Sequence, residues 1–367
     1  MYAKTVTLAN TQWPETNAIM GKNRRIGLSM SGFVQAAYQR SFTEMYEWCD
    51  NAYEYVQSLD GLYSDWLCVP RSKRTTSIKP SGCQVADTLL MTEDGILTLE
   101  ELGDIEGPEW QTHSIDIYQE TSTKNSTKFY VNGVAKTKKI RTESGLSLES
   151  THNHQYRVLT PKGDYVWRRA DQIKTNDLLP YRVGGYKGGS PQSLVQVSKP
   201  YHNVAAIKQP TELSPQMCWL LGLYLADGST HKKGIRIAGD TAKKEDLLRA
   251  KAIAEDLFGI EGIIYERTAG NNADLYLNST WLLAYLRANN LIKPKTHEIE
   301  IPLAVRKSTR ECLQQYIDGY KTGDGCRKTN GDTYCTISKT MTKQLVVILR
   351  ALGMDCKMRL MPPTDSS

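Results

Sequence analysis

The sequence predicts a multidomain chain. Residues 1–82 form a mixed helical segment, 83–207 a small all-β domain with a linker, 208–361 an α+β domain, and 362–367 a short tail. Three observations carry this. Short β-rich runs broken by Gly, Asn and Asp turns begin at residue 83. Helical spacing returns after residue 208. A nine-residue motif recurs there, its two aspartates, Asp227 and Asp324, lying 97 positions apart. A length of 367 residues accommodates two or three domains, each able to bury a core.

In the first segment, Met45, Trp48, Cys49, Ala52, Tyr53 and Val56 stand near helical spacing and predict a helix over 42–59. In the second, strands are expected at 84–91, 114–118, 128–131, 139–141, 156–159 and 164–167. The glycine-rich run 184–191 reads as a linker or flexible loop. In the third, apolar helices end at Asp227-Gly228 and Asp324-Gly325. After the first come a strand at 234–239 and a helix at 242–258; after the second, a strand at 334–338 and a helix at 341–352. Such a repeat implies two similar subdomains about a pseudo-twofold axis.

Charge is unevenly spread. Residues 208–361 carry 23 Lys/Arg against 17 Asp/Glu, whereas 83–207 carry 14 against 15 and 1–82 carry 9 against 7. The basic excess of the third segment suits a phosphate-rich partner or a solvated surface. No stretch of about 18 apolar residues is present, so no membrane span is expected. Eight cysteines without a C-x-x-C pair argue against zinc ribbons and thioredoxin-like sites, and fit a reducing cytoplasm.

Gly222 and Ala226 are four apart, as are Gly319 and Gly323, so each pair lies on one face of its helix. Small residues there let two backbones approach and bring the terminal aspartates side by side. Two such carboxylates suit Mg²⁺, which polarises phosphodiester oxygens and activates water. One Asp-Gly alone is an ordinary helix stop. Both together, with small residues at matching offsets, favour the functional reading. The runs Leu220-Leu221-Gly222-Leu223-Tyr224-Leu225-Ala226-Asp227-Gly228 and Ile317-Asp318-Gly319-Tyr320-Lys321-Thr322-Gly323-Asp324-Gly325 resemble the paired motifs of LAGLIDADG homing endonucleases. The resemblance implies an αββαββα repeat, Mg²⁺ bound by Asp227 and Asp324, and double-strand cleavage of a long asymmetric DNA target. Residues 280–290 resemble the closing helix of the first repeat, and Ile301-Pro302 the family's Ile-Pro element. The lysine usual just ahead of that element is replaced by Ile299-Glu300, and Lys295 is out of register.

Cys83 opens the β-rich segment directly after Lys79-Pro80-Ser81-Gly82. A thiol attacks the preceding carbonyl when its nucleophilicity is raised and the leaving nitrogen is protonated. The run from Cys83 through Asp94-Gly95 to Leu102 resembles the opening block of an intein. Gly145 to Val158, with Thr151 and His154 in a Thr-x-x-His core, resembles the second block, and 167–178 also fits. The resemblance implies an all-β Hint splicing domain and an N–S acyl shift at Cys83, with His154 acting on the Gly82–Cys83 amide and Thr151 holding it.

In the first segment, Arg24-Arg25-Ile26-Gly27-Leu28-Ser29 and Ser77-Ile78-Lys79-Pro80-Ser81-Gly82 resemble adenosylcobalamin-dependent ribonucleotide reductases. That implies a fragment of the reductase α/β barrel, with adenosylcobalamin serving only the complete host enzyme. The C-terminal His-Asn of inteins is not found, so the splicing domain and second endonuclease repeat are expected to be incomplete and a C-terminal intein segment to be the partner. The leading expectation is an intein endonuclease acting on the intein-less reductase gene. The alternatives are an inactive reductase fragment and a LAGLIDADG protein that binds DNA without cutting.

Overall fold

A computed structural model describes residues 5, 8–9, 11–23, 42–69, 71, 83–104, 115–118, 123–126, 133–266, 271–328, 331–359 and 361. The chain forms two compact units, Met1–Ser81 and Gly82–Ser367. The Arg24 to Ser29 motif, the stretch from Lys79 to Gly82, the strand expected at 128–131 and the tail 362–367 lie outside the described residues.

In the first unit, Asn17 accepts a hydrogen bond from the Thr11 amide at 2.7 Å and returns one to its carbonyl, bracing the start of α1 (Pro14–Asn23). Helix α2 (Phe42–Trp66) extends the expected helix at its C-terminal end. The described residues of this unit show helices where a fragment of an α/β barrel is expected. Among the described residues this unit holds no strand and no closed barrel, and a barrel requires parallel strands alternating with its helices.

The second unit opens with β1 (Leu89–Thr92) and β2 (Gly95–Thr98), antiparallel and joined through Gly95 at φ +133°, a conformation only glycine adopts readily. Helix α3 (Leu99–Asp104) starts in a capping box. The Thr98 amide donates to Glu101 at 2.8 Å and the Glu101 amide to Thr98 at 3.1 Å. Strands β3 (Ile115–Tyr118) and β4 (Thr123–Ser126) complete a sheet of order β2-β1-β3-β4. Two hairpins follow, β5 (Thr137–Arg141) with β6 (Ser147–Thr151) and β7 (Gln155–Leu159) with β8 (Tyr165–Arg169). The strand expected at 84–91 splits: Gln84 bridges Ser150 of β6, and pairing resumes only at β1.

Ser214 caps α4 (Pro215–Asp227), accepting from the Met217 amide, with Pro215 in the first turn, where its missing N–H costs nothing. Ten of its thirteen residues are buried. It passes at Gly228 straight into β9 (Gly228–His231), followed by β10 (Gly234–Asp240), α5 (Lys244–Phe258), β11 (Ile263–Glu266), β12 (Asn272–Leu277) and α6 (Thr280–Ala288). The sheet order is β11-β12-β10-β9, all antiparallel. A short α7 (Leu303–Arg306) leads to α8 (Arg310–Asp324), capped by Thr309, then β13 (Gly325–Lys328), β14 (Gly331–Tyr334) and α9 (Lys339–Ala351). The strand expected at 334–338 lies earlier, because Ser338 turns to cap α9, accepting from the Met341 amide at 3.1 Å. The described residues after Ala351 hold no further helix or strand.

The expected linker is not loose. Tyr186 and Leu194 are buried in the main core, Gly188 bridges Thr309, and the Gly189 amide donates to Ser308 O at 2.9 Å. A Cβ on Gly188 would lie 2.9 Å from Arg310 Cα, so its glycines permit close packing rather than mobility. Ile96 of β2 belongs to that same core, which also holds residues of α4, α5 and α8, with Leu89 and Met91 of β1 packed against it. Arg306 ties this region together. Nearly fully buried, it donates to Ile96 O at 3.0 Å and to Ile301 O at 3.1 Å, and its fork pairs with Glu101. No helix among the described residues is long and apolar enough to cross a membrane.

Candidate functional site

Helices α4 and α8 pack against each other along their length. The contact is close because glycines line it. A Cβ on Gly222 would overlap Tyr316 O and lie 2.7 Å from Tyr320 N; one on Gly319 would lie 2.8 Å from the Trp219 carbonyl carbon. At the C-terminal end, a Cβ on Gly323 would lie 2.7 Å from Asp227 Oδ2. The Asp227 carboxylate therefore rests against the residue preceding Asp324. Both helices end alike: the Gly228 amide donates to Tyr224 O and the Gly325 amide to Lys321 O. Asp227, Thr322 and Gly323 line one recess of about 270 Å³ together with Asp240 and Asp246.

Sequence reasoning missed Lys293. Its amide donates to Tyr224 Oη at 3.3 Å and its Nζ to Ala226 O at 2.6 Å, which holds the ammonium at the end of α4. Burial pushes its pKa down, against the pull of Asp324 and Asp227, which favour the charged form. Lys293 is thus a cation that senses both aspartates. Lys295, two residues on, is exposed. Burial and the neighbouring Asp324 carboxylate push the Tyr320 hydroxyl above its usual range.

Among the described residues no group of three or more His, Cys, Asp or Glu side chains is placed to ligate a metal. Two carboxylates meet the needs of Mg²⁺, which commonly takes one or two protein carboxylates and fills its octahedron with water and substrate phosphate. The donor set therefore fits.

On the neighbouring sheet, β10 and β12 turn Ile235, Ile237, Ala273, Leu275 and Leu277 inward. The other face carries Arg236 opposite Tyr276, with Ile263 beside it and the His231 ring 6.0 Å from that of Tyr276. Arg236 pairs with buried Asp274 at 2.8 Å, which raises the Arg236 pKa. The turn between β9 and β10 adds Lys232 and Lys233.

The second constellation gathers Cys83, Thr151, His154 and Gln84. Thr151 brackets the Cys83 backbone: its Oγ1 accepts from Cys83 N at 2.8 Å and its amide donates to Cys83 O at 2.8 Å. The Val85 amide continues the pairing to Glu149 O at 3.3 Å. His154 is fixed by its amide to Thr151 O at 3.0 Å, by the Ala170 amide to His154 O at 2.7 Å, and by a T-shaped contact with Tyr156. Gln84 Nε2 lies 3.1 Å from His154 Nε2, a contact the sequence did not suggest. Gly82, the other half of the junction, is outside the described residues. His152 is exposed, its main-chain carbonyl accepting from the Asp171 amide at 3.1 Å.

Residues 214–297 match the LAGLIDADG-like domain family. The match spans α4 through α6 and reaches Lys293. It supports a nuclease-type enzyme of the homing endonuclease kind. Among curated proteins, the chain is 50% identical over 82 residues to a probable adenosylcobalamin-dependent ribonucleoside-triphosphate reductase of Dictyostelium discoideum, covering 22% of this chain and 11% of that protein. It is 45% identical over 82 residues to the adenosylcobalamin-dependent ribonucleoside-triphosphate reductase of Euglena gracilis, with the same coverage. It is 22% identical over 221 residues to the replication factor C small subunit of Methanocaldococcus jannaschii, covering 60% of this chain and 11% of that protein. The chain thus spans 11% of the length of each of these relatives.

Proposed function

We propose that the protein is an intein carrying a LAGLIDADG homing endonuclease, inserted in an adenosylcobalamin-dependent ribonucleotide reductase. The observation that carries the nuclease reading is the meeting of Asp227 with Gly323 at the ends of two glycine-packed helices, with Lys293 sensing both aspartates. The LAGLIDADG-like match over 214–297 supports it. So do the reductase matches, whose 82 residues equal the length of chain ahead of Cys83.

In this reading Asp227 and Asp324 would hold Mg²⁺, which when bound would supply charge to polarise the phosphodiester and lower the pKa of water. Lys293 places a cation of lowered pKa beside them, suited to stabilise developing negative charge or to move a proton. Arg236, Tyr276, His231 and the Lys232-Lys233 turn face the duplex, where phosphate contacts dominate affinity.

At the other constellation, Cys83 attacks the Gly82 carbonyl and a thioester forms. Thr151 holds the Cys83 amide, and His154 assists departure of the nitrogen. A C-terminal intein segment is the partner that completes splicing, and the cytoplasm is the compartment. The complete reductase would use adenosylcobalamin; this chain would not.

The test is a plasmid bearing the uninterrupted reductase gene, incubated with the protein and Mg²⁺. Where the second repeat is complete, specific cutting near the Lys-Pro-Ser-Gly codons is expected, lost in Asp227→Asn and in Asp324→Asn while binding survives. Undiminished cutting by both variants would overturn the assignment. Binding without any cutting by the unaltered chain would favour the non-cleaving alternative, and cobalamin-dependent nucleotide reduction the reductase one.

A further inference from the structure

We propose that Gln84 is a positioning residue that sets the tautomer of His154; this rests on reading the Gly82–Cys83 junction as a splice site. Gln84 follows Cys83 directly, and its backbone is held by an antiparallel bridge to Ser150. That bridge aims its side chain at the imidazole, where Gln84 Nε2 stands 3.1 Å from His154 Nε2. A carboxamide nitrogen only donates, so His154 Nε2 accepts. A neutral imidazole whose Nε2 accepts carries its proton on Nδ1. The ring cannot readily turn to escape this choice. Tyr156 packs edge-on at 4.9 Å between centroids, and the His154 backbone is hydrogen-bonded on both sides, to Thr151 and to Ala170.

The tautomer matters to the acyl shift. A bond forms between Cys83 Sγ and the Gly82 carbonyl carbon, the bond from that carbon to the Cys83 nitrogen breaks, and the thiol proton passes, net, to the nitrogen. An Nδ1–H can donate a hydrogen bond to the lone pair that develops on that nitrogen. With the proton on Nε2, Nδ1 would be an acceptor and would compete for hydrogen rather than supply it. The role of Gln84 is thus exerted through His154 and requires no contact of its own with the reacting atoms.

The test uses the full chain labelled with ¹⁵N-histidine, read by long-range ¹H–¹⁵N correlation at a pH where His154 is neutral. The wild type should show a protonated Nδ1 and an unprotonated Nε2. Gln84→Glu presents an acceptor and should move the proton to Nε2; Gln84→Met removes the donor and should give a mixture. Thiol-induced cleavage after Gly82, assayed with dithiothreitol with the C-terminal intein segment supplied in trans, should fall at least about tenfold in both variants, within the range that a misplaced general acid–base group costs. A wild-type ring protonated on Nε2, or a tautomer unchanged in both variants, would overturn the proposal. So would a tautomer that shifts while cleavage holds at the wild-type rate. If the wild type never cleaves but its tautomer is as expected and follows Gln84, the spectra uphold the tautomer assignment and it is the splice-site reading that fails.

Discussion

Lys293 donates a 2.6 Å hydrogen bond from Nζ to the carbonyl oxygen of Ala226, the residue before Asp227. A carbonyl at the end of a helix carries partial negative charge, so the ammonium is held there by the helix as well as by the two carboxylates. Replacing Lys293 with Met should lower the cleavage rate by about 100-fold or more, the scale of a lost general acid–base group, with DNA binding retained. Single-turnover cleavage beside a gel-shift titration separates the two effects. An unchanged rate would remove Lys293 from the site.

The same residue predicts a pH signature in stability. The folded protein holds Lys293 below the usual lysine value of 10.5, so the unfolded chain binds its proton more readily. Unfolding free energy should therefore rise as pH climbs through the lowered value toward 10.5. The difference between wild type and Lys293→Met, followed by urea unfolding across alkaline pH, should show that rise in the wild type alone.

Gly222→Val and Gly319→Val should each destabilise the protein by about 1–3 kcal/mol or more through overpacking, because the opposing backbone, not a yielding side chain, occupies the space. Denaturant midpoints would report it. Gly163→Ala serves as a comparison: a Cβ there meets nothing within 4 Å, and only its φ of +89° is strained.

Arg306→Met should cost about 3–5 kcal/mol, since it strands the Glu101 carboxylate and two main-chain carbonyls. Burial raises the Glu101 pKa, but hydrogen bonds from Arg306 and Thr98 outweigh it and hold the carboxyl below its usual 4.5. The pair thus contributes stability above pH 4.5 that is lost as pH falls through the lowered value. Acid titration of the midpoint should show this limb in the wild type and a shallower one in Arg306→Met.

At the splice junction, supplying a C-terminal intein segment in trans should permit thiol-induced cleavage after Gly82. Cys83→Ala should abolish it and His154→Ala should reduce it about 100-fold. His152→Ala should matter less, as His152 lies outside the Thr-x-x-His register and is exposed. Cleavage that persists in Cys83→Ala, followed by mass spectrometry, would end the splicing reading.

The sequence made the paired helices legible because close approach needs small residues at four-residue spacing, and Gly222, Ala226, Gly319 and Gly323 are visible as such. Helices α5 and α9 were visible as amphipathic runs, and α6 through its resemblance to the closing helix of the first repeat. Strand β6 was harder: Ser147 to Thr151 is mostly polar, and its pairing with β5 rather than its composition makes it a strand. Lys293 was not legible, since a loop after α6 brings it to Ala226 across 67 positions of sequence. Just ahead of Ile301-Pro302 stands Ile299-Glu300 instead of a lysine, and Lys295 is out of register. Residues 184–200 misled in the opposite way: of the glycines read as slack, Gly188 and Gly189 stand where Lys307, Thr309 and Arg310 leave no room for a side chain. Gln84 carries no pattern at all. Only the bridge to Ser150 turns it toward His154.

Because Ile96 shares its burial with α4, α5 and α8, and Arg306 reaches across to its carbonyl, the β-rich part cannot be lifted out as a ready-made cassette. A mini-protein made by deleting 208–361 would present Leu89, Met91 and Ile96 to water as a greasy scar and leave Glu101 without its counter-ion. Miniaturisation here requires resurfacing that scar with polar side chains and redesigning the Glu101 position, or the trimmed product will self-associate through it.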